Sequence, residues 1–289
     1  MTKKILVLGG SGFLGSSLCN KLIKNIKLKV TNYDRKYNKT LNKKIKFIRG
    51  DISNYKKLNQ QISKNDIIYH FAGISDIEEA SKKPLTVVKK NILSSTLILN
   101  LCIKHKIEKF IFASSIYVYS ANGSFYRISK TAVEDLIQEF HKKFNLPYLI
   151  LRFGSLYGSG APKTNGINKI LYNLKFNKKL IYSGNKKTRR RYIHVDDAAE
   201  ISTKFVDKSY KNSIFNITGK KDIKIFSLLN ALKKEHNIKS YPIFLNIKDE
   251  NHYINTPYTF KPMKDIVLKS KKEKNFYKEL SKVYLKLNK

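Results

Sequence analysis

The chain has 289 residues, 42% of them hydrophobic, and a formal net charge of +37. This length and apolar content exclude a disordered chain and predict one large α/β unit or two domains. No apolar run approaches the roughly 20 residues of a membrane span. The lysines are spread along the whole length beside abundant Asn, Ile, Tyr and Phe, so we attribute the charge to compositional drift and expect no specific nucleic-acid partner. The densest basic clusters, residues 185–192 and 268–278, remain candidate anion-binding sites. Cys19 and Cys102 are too few for a disulfide framework, which favours a cytoplasmic protein.

The first half of the chain alternates short apolar runs with amphipathic helical patterns. Predicted helices cover 13–25, 85–105 and 126–140, and predicted strands cover 4–9, 29–34, 45–51, 66–73, 109–115 and 147–154. This alternation predicts an α/β fold with a Rossmann-type, doubly wound parallel sheet. We expect the NAD-binding domain to cover 1–154, with about 192–218 returning to it. A smaller, mainly substrate-binding C-terminal lobe then covers 155–289, and its last part, after Pro262, is a Lys-rich helix or tail.

Three glycines follow the first predicted strand. Gly9, Gly12 and Gly15 are spaced three apart in "GGSGFLG", directly before an amphipathic helix. Glycine at these positions lets the backbone turn sharply and approach a pyrophosphate, while the helix N-terminus supplies amides and a favourable dipole. The alternative is a plain tight turn. The order strand, glycines, helix at the start of the chain favours the dinucleotide site.

Acidic residues end the next two predicted strands. Asp34 lies where a carboxylate accepts hydrogen bonds from an adenosine ribose, and it would repel a 2′-phosphate, so we expect NAD as the cofactor. Arg35 weakens this assignment, because an arginine there can pair with that phosphate. Asp51 and Ile52 follow the third strand, where the adenine edge would lie. For both acids the alternative is an ordinary turn carboxylate.

Tyr126 and Lys130 stand four residues apart in "SFYRISKTAVED". On a helix they share one face. An ammonium beside a phenol lowers the pKa of the phenol, which can then exchange a proton with a sugar hydroxyl while a nicotinamide takes the hydride. Ser115, at the end of a strand, is placed to hold the same substrate oxygen. Chance pairs at this spacing are expected in a chain with 18 tyrosines and so many lysines.

Taken together, these motifs resemble the extended short-chain dehydrogenase/reductases, the NAD-dependent epimerase/dehydratase family that acts on nucleotide sugars. The similarity rests on "GGSGFLG" (9–15), Asp34, Asp51-Ile52, "HFAG" (70–73), Asn91, "SSIYVY" (114–119), "YRISKTAVE" (126–134), "RFGSLYG" (152–158) and "RRRYIHVDD" (189–197). These motifs span about two-thirds of the chain in the family's order.

The resemblance implies a role for each matching residue. It gives Ser115, Tyr126 and Lys130 the catalytic roles, with Tyr126 and Lys130 also reaching the cofactor, and it gives Ser115, Ser155 and Arg190 contacts with the substrate. Arg190 matches the arginine that grips the substrate diphosphate. The implied cofactor contacts are Gly9, Gly12, Phe13, Leu14, Gly15, Asp34, Asp51, Ile52, Phe71, Ala72, Gly73, Asn91 and Phe153, beside Arg35. The resemblance also implies a cytoplasmic homodimer serving carbohydrate biosynthesis, such as that of cell-surface polysaccharide.

Departures from the family pattern narrow the activity. Family dehydratases carry an Asp-Glu pair directly after the catalytic Ser/Thr, whereas this chain has Ile116 and Tyr117, so dehydration is not expected. We therefore predict an NAD-dependent nucleotide-sugar epimerase acting at C4. The short segment from Ser115 to Tyr126 resembles that of some deoxysugar 4-ketoreductases, which remain the alternative. A Rossmann protein that senses nucleotides or associates with RNA is the non-enzyme alternative.

The remaining polar candidates are expected to be structural. His194 and His70 are predicted to be packed side chains, and Asp196 and Asp197 to cap the helix that follows them. No cluster of His, Cys, Asp or Glu has metal-binding spacing, so no metal is predicted.

Overall fold

A single parallel sheet forms the centre of the protein. The computed structural model describes residues 2–246, 252–256, 265–268 and 273–287. Eight strands pair in the order β14-β11-β6-β5-β4-β1-β2-β3, every pair parallel. Their bounds are β1 Lys3–Leu8, β2 Leu28–Asp34, β3 Lys46–Arg49, β4 Ile67–His70, β5 Lys109–Ser115, β6 Tyr148–Phe153, β11 Ser213–Ile217 and β14 Asp265–Leu268. Because the strands are parallel, their carboxyl ends meet at one edge of the sheet, where such folds bind ligands.

Helices cover both faces of this sheet. The helices of the described residues, including those beyond the sheet, are α1 Phe13–Leu22, α2 Tyr55–Ile62, α3 Ile77–Lys82, α4 Pro84–Val87, α5 Ser94–Lys104, α6 Ser124–Phe144, α7 Gly166–Asn177, α8 Val195–Thr203, α9 Ile225–Glu235 and α10 Phe276–Lys286. A π-helical turn, Val88–Leu93, joins α4 to α5, and 3₁₀ turns cover Ile116–Tyr119 and Lys204–Val206. The fold class predicted from the alternation is confirmed.

Three short two-stranded sheets lie beyond β6. The strands β7 Ser155–Tyr157 and β10 Tyr192–His194 pair in parallel, as do β8 Ile181–Tyr182 and β13 Ile243–Phe244. The strands β9 Arg189–Arg190 and β12 Ile223–Lys224 pair antiparallel. These pairs place residues from distant parts of the chain beside the edge at which the large sheet ends.

Apolar side chains form separate cores on either side of the sheet and beyond it. One face of the sheet packs with α1 and α8 around residues such as Leu18 and Phe205, and the other packs with α2, α5 and α6 around Leu58 and Ile137. A third cluster joins α7, α9 and α10 with Tyr157. The chain leaves the sheet after β6 for α7, returns to it with α8 and β11, and leaves it again with α9, so it crosses between the regions more than once. The predicted division into two lobes stays a prediction.

The helix that follows β10 begins differently from the prediction. The N-cap of α8 is His194, whose Nδ1 accepts a hydrogen bond from the Asp196 backbone N–H at 3.2 Å. Asp196 and Asp197 lie inside the first turn, so the prediction that they cap this helix is wrong. Their charge still favours the helix, because carboxylates stabilise the positive end of its dipole.

One helical run has the composition of a membrane span. Within the described residues, Pro84–Lys104 is long and apolar enough to cross a membrane. Lys89, Lys90 and Asn91 interrupt this segment, so it contains no long run of consecutive apolar residues. In this fold the α5 side chains Ile98 and Leu101 pack in the core, as expected for a core helix.

Candidate functional site

A large cavity lies at the carboxyl edge of the sheet. Its volume is about 1620 Å³, and its lining runs from Gly9 through Tyr126 to Arg190. Pockets for drug-sized ligands measure roughly 300–1,000 Å³. The cavity therefore has room for a dinucleotide and a second nucleotide together.

The glycine loop, residues 9–15, closes one end of the cavity. Gly9 has φ +85°, and a Cβ there would lie 2.6 Å from the Ala72 backbone nitrogen. A Cβ at Gly15 would lie 2.2 Å from the Gly9 carbonyl oxygen, so any side chain at either position would displace backbone. Gly12 is the N-cap of α1 and lines the cavity. The loop therefore presents backbone rather than side chains to a ligand, which suits a pyrophosphate.

The carboxylates at the ends of β2 and β3 are both held by neighbours. Asp34 Oδ2 accepts a hydrogen bond from the Ser11 backbone N–H at 3.0 Å, which ties the glycine loop to β2. Lys90 Nζ lies 2.8 Å from both carboxylate oxygens of Asp51. Burial raises the pKa of Asp51, but the hydrogen bonds from Lys90 and Ser53 outweigh it, and the net shift is downward. The Asp51 carboxylate, which was predicted to face the adenine, is thus paired with Lys90.

Asn91 has a different place from the other predicted cofactor contacts. All the rest line the cavity, whereas Asn91 is 4% exposed and, in the described part of the chain, is absent from the lining. Its Oδ1 accepts the Ile74 N–H at 2.8 Å, and its Nδ2 donates to Ser129 Oγ at 3.0 Å. Asn91 lies in the π-helical turn, a local geometry that is frequent at functional sites. It joins the loop after β4 to the helix that carries Tyr126 and Lys130.

Ser115, Tyr126 and Lys130 come together in the middle of the cavity. Ser115 ends β5, and Tyr126 and Lys130 lie one turn apart on α6. Lys130 Nζ donates to the Ala113 carbonyl at 2.8 Å and lies 5.8 Å from the centre of the Tyr126 ring. Burial lowers the pKa of Lys130 to about 8, while Glu134 opposes the shift.

The expected lowering of the Tyr126 pKa is wrong. Burial raises this pKa, and a hydrogen bond with Ser115 only partly offsets the rise. The physical reason is that the phenol is 9% exposed and the ammonium donates to a carbonyl rather than to the phenol. Desolvation of a phenolate then outweighs the attraction of a cation that is not in direct contact.

Arg190 closes the opposite end of the cavity. It is 7% exposed, and its Nη1 donates to the carbonyls of Tyr253 at 2.7 Å and Arg189 at 2.9 Å. Its guanidinium lies 4.1 Å from the centre of the Tyr253 ring. Arg189 points elsewhere, to Asp222 Oδ2 at 2.6 Å, as alternation along a strand requires. Ser155 lines the cavity near this end.

Sequence reasoning missed several side chains of this end. Tyr117, Tyr182, His252 and Tyr253 all line the cavity. The sequence marks Tyr117 as part of "SSIYVY" and as a departure from the dehydratase pattern, but gives it no role in the site. Nothing in the sequence marks His252 or Tyr253, because they belong to no repeating pattern and meet Tyr117 across more than a hundred residues.

His70 and the two cysteines are core residues. His70 is 1% exposed, and its Nε2 lies 2.8 Å from Ser95 Oγ. Burial, with a contribution from Lys130, lowers the pKa of His70 to about 3, so it is neutral. Cys19 and Cys102 are buried free thiols. Among the residues the structure describes, no three His, Cys, Asp or Glu side chains form a group that would hold a metal ion.

Comparisons with known proteins bear on the whole arrangement. The model of the NAD-dependent epimerase/dehydratase family matches residues 5–218. A dTDP-D-glucose 4,6-dehydratase of Dictyostelium discoideum is 30% identical over 82% of this chain, and the match spans 62% of that protein's length.

Solved structures give the same picture. UDP-glucuronic acid 4-epimerase from Bacillus cereus, crystallised with NAD, is 27% identical with a TM-score of 0.75, covering 83% of this chain and 85% of its own. UDP-glucose 4-epimerase from Thermotoga maritima, crystallised with UDP-glucose, has a TM-score of 0.81 at 22% identity, covering 98% and 97%, and so shows a shared fold.

Proposed function

The chain belongs to the NAD-dependent epimerase/dehydratase family, and from that premise we propose that it is a nucleotide-sugar epimerase acting at C4 of a nucleoside-diphosphate hexose. The observation that carries the proposal is one cavity that joins the glycine loop, the Ser115–Tyr126–Lys130 set and Arg190. A cofactor at one end and a sugar nucleotide at the other would meet at Tyr126.

The residues at the glycine-loop end fit NAD. The backbone at Gly9, Gly12 and Gly15 suits the pyrophosphate, the Asp34 carboxylate suits a ribose with a free 2′-hydroxyl, and apolar residues such as Ile52, Leu14 and Phe153 suit the ring systems. When bound, NAD supplies a hydride acceptor that oxidises the sugar carbon and afterwards returns the hydride. Arg35 also lines the cavity, and it is the residue through which NADP would be accommodated.

The proton is handled by Tyr126. As a phenolate, its Oη accepts the proton of the sugar hydroxyl as the carbon–hydrogen bond breaks, and as the resulting phenol it donates that proton back when the keto sugar is reduced on its other face. Burial raises the pKa of Tyr126, which suits the donating phenol, so the accepting step depends on the nearby Lys130 charge, which favours the phenolate. Ser115 orients the substrate oxygen beside Tyr126.

One feature favours epimerisation over elimination of water. Ile116 and Tyr117 follow Ser115, so no carboxylate stands at these two positions to assist the loss of a hydroxyl group. Arg190 supports a diphosphate-linked substrate, since a guanidinium binds phosphate oxygens in a fixed fork. Within the same proposal the enzyme acts in the cytoplasm, as a homodimer, to supply activated sugars for carbohydrate biosynthesis such as that of cell-surface polysaccharide.

The test is a panel of UDP-, GDP-, CDP- and dTDP-sugars, with and without added NADH or NADPH. An epimerase interconverts two sugars with a bound cofactor that is recycled, so turnover needs no added reductant. Consumption of one reduced cofactor per keto sugar would instead identify a 4-ketoreductase, the alternative favoured by the short Ser115–Tyr126 connection. Binding without any turnover would identify a nucleotide sensor.

A further inference from the structure

An aromatic wall lies beside the proton-transfer group in the cavity. We use this name for Tyr117, His252 and Tyr253, all of which line the cavity with Tyr126. Tyr117 Oη lies 2.6 Å from His252 Nδ1. The Tyr117 ring meets the Tyr126 ring edge to face at 6.2 Å between centres, and it lies 4.8 Å from the Tyr253 ring. The wall therefore fixes a second polar phenol beside the one that handles the proton.

The segment that carries His252 and Tyr253 is held by the strand that presents Arg190. The Arg189 N–H donates to the Ile254 carbonyl at 2.8 Å, and Arg190 donates to the Tyr253 carbonyl at 2.7 Å. Thr256 Oγ1 donates to Asp222 Oδ1 at 2.9 Å, and Asp222 in turn binds Arg189. The Arg190 end of the cavity and the aromatic wall are thus held together by the same hydrogen bonds. Residues 252–256 cannot shift without disturbing β9.

Tyr117 is a neutral hydrogen-bonding group held in place by His252. Burial raises the pKa of Tyr117 well above its usual value, so the phenol keeps its proton at physiological pH. A phenolic hydroxyl donates one hydrogen bond and accepts others, and the contact with His252 fixes its direction. A sugar hydroxyl, which also donates and accepts, matches such a group. A dehydratase-like carboxylate at this position would present acceptors only.

We propose that Tyr117, oriented by His252, binds a sugar hydroxyl next to the one that Tyr126 deprotonates and so determines which hexose the enzyme accepts. This inference rests on the proposed function, since it concerns the sugar at the same site. The ligand is a nucleoside-diphosphate hexose that retains that neighbouring hydroxyl. His252 is a positioning residue, and Tyr117 touches the substrate.

The test compares the true substrate with its monodeoxy analogues. Tyr117→Phe removes one oxygen and should lower kcat/KM for the parent sugar about tenfold, the scale of one lost hydrogen bond. For the analogue that lacks the recognised hydroxyl, wild type and Tyr117→Phe should be equal. His252→Phe should reproduce the loss, and the double variant should lose no more than the larger single loss.

The controls separate this inference from the proposed function. Tyr241→Phe deletes the same atom from a tyrosine that is 82% exposed, and should change nothing. Tyr126→Phe should abolish turnover of every sugar without altering the preference among them in binding. Calorimetric dissociation constants for parent and deoxy nucleotide sugars test recognition even if no turnover is found. Equal losses for the parent and all analogues in Tyr117→Phe, or no loss at all, would overturn the inference.

Discussion

The two ends of the cavity are built in different ways. At the cofactor end, each residue ends or follows a strand of the parallel sheet, and the neighbouring strands β4, β1, β2 and β3 bring Phe71, Gly9, Asp34 and Asp51 together in that order. At the sugar end, Tyr117, Arg190, Asp222 and His252 come from elements with no regular spacing, joined by single hydrogen bonds. A repeated architecture therefore fixes the first end, and individual contacts fix the second.

This difference has a physical consequence. The cofactor end depends on backbone packing, where a glycine loop meets the Ala72 main chain and tolerates no Cβ at Gly9 or Gly15. The sugar end depends on charged and aromatic side chains that are partly buried. Substitutions should accordingly divide into those that affect chemistry or cofactor and those that affect only the sugar nucleotide. The following predictions test that division.

The largest effect is expected where the two ends meet. Tyr126→Phe should lower turnover at least roughly a hundredfold, because it removes a positioned proton-transfer group. The melting temperature and NAD affinity should stay near wild type, because the ring remains in place. Ser115→Ala should be milder, since it deletes one hydrogen bond. Steady-state kinetics with calorimetry of NAD binding measure both. A folded Tyr126→Phe protein with near wild-type turnover would contradict the assignment.

Lys130 should make the stability of the protein depend on pH. Its pKa is about 8 in the folded protein and 10.5 when unperturbed, so the ammonium destabilises the fold fully below pH 8. Between pH 8 and 10.5 the unfolded chain binds this proton and the folded chain does not, so stability rises with pH. The rise should be about 3 kcal/mol.

The measurement is the difference in free energy of unfolding between wild type and Lys130→Met across this pH range. Burial also lowers the pKa of Lys109 to about 8. The subtraction cancels the contribution of Lys109, because this residue is present in both proteins. A difference that does not change with pH would contradict the prediction. Turnover and NAD affinity of Lys130→Met should also fall.

Substitutions of Arg190 and Arg189 should affect binding of the sugar nucleotide to different extents. Arg190→Ala should raise the KM for a nucleotide sugar by roughly 10- to 100-fold, the scale of hydrogen bonds to a charged group. Arg189→Ala should have a smaller effect, because it loosens residues 252–256 through Asp222 without touching the diphosphate. Lys187→Ala is the matched surface control. NAD affinity should be unchanged in all three, and equal effects from the three would indicate a diffuse basic patch.

The smallest effect is expected at the ribose position of the cofactor end. Asp34 should favour NAD over NADP by roughly tenfold, because its carboxylate repels a 2′-phosphate. Asp34→Asn should narrow this preference while leaving the KM for the sugar unchanged. Fluorescence titrations with both cofactors at fixed salt measure it. Tighter binding of NADP to the wild type would show that Arg35 dominates.

The sequence by itself determined the fold class and, through the resemblance of its motifs, the family, and it predicted which residues form the cofactor end. It could do so because these depend on local regularities: strand and helix periodicity, glycine spacing before a helix, and the four-residue separation of Tyr126 and Lys130 on one helix face. The edge strand β14 was not predicted, since a four-residue strand this close to the end of the chain has no distinguishing periodicity.

Only the tertiary structure decided the rest. It pairs Lys90 with Asp51, turns Asn91 towards Ser129, and raises the pKa of Tyr126. It also brings His252 to Tyr117. Each of these depends on burial or on a contact between residues far apart in the chain. Desolvation and hydrogen-bond geometry are set by what surrounds a group in space, and no spacing along the sequence encodes them.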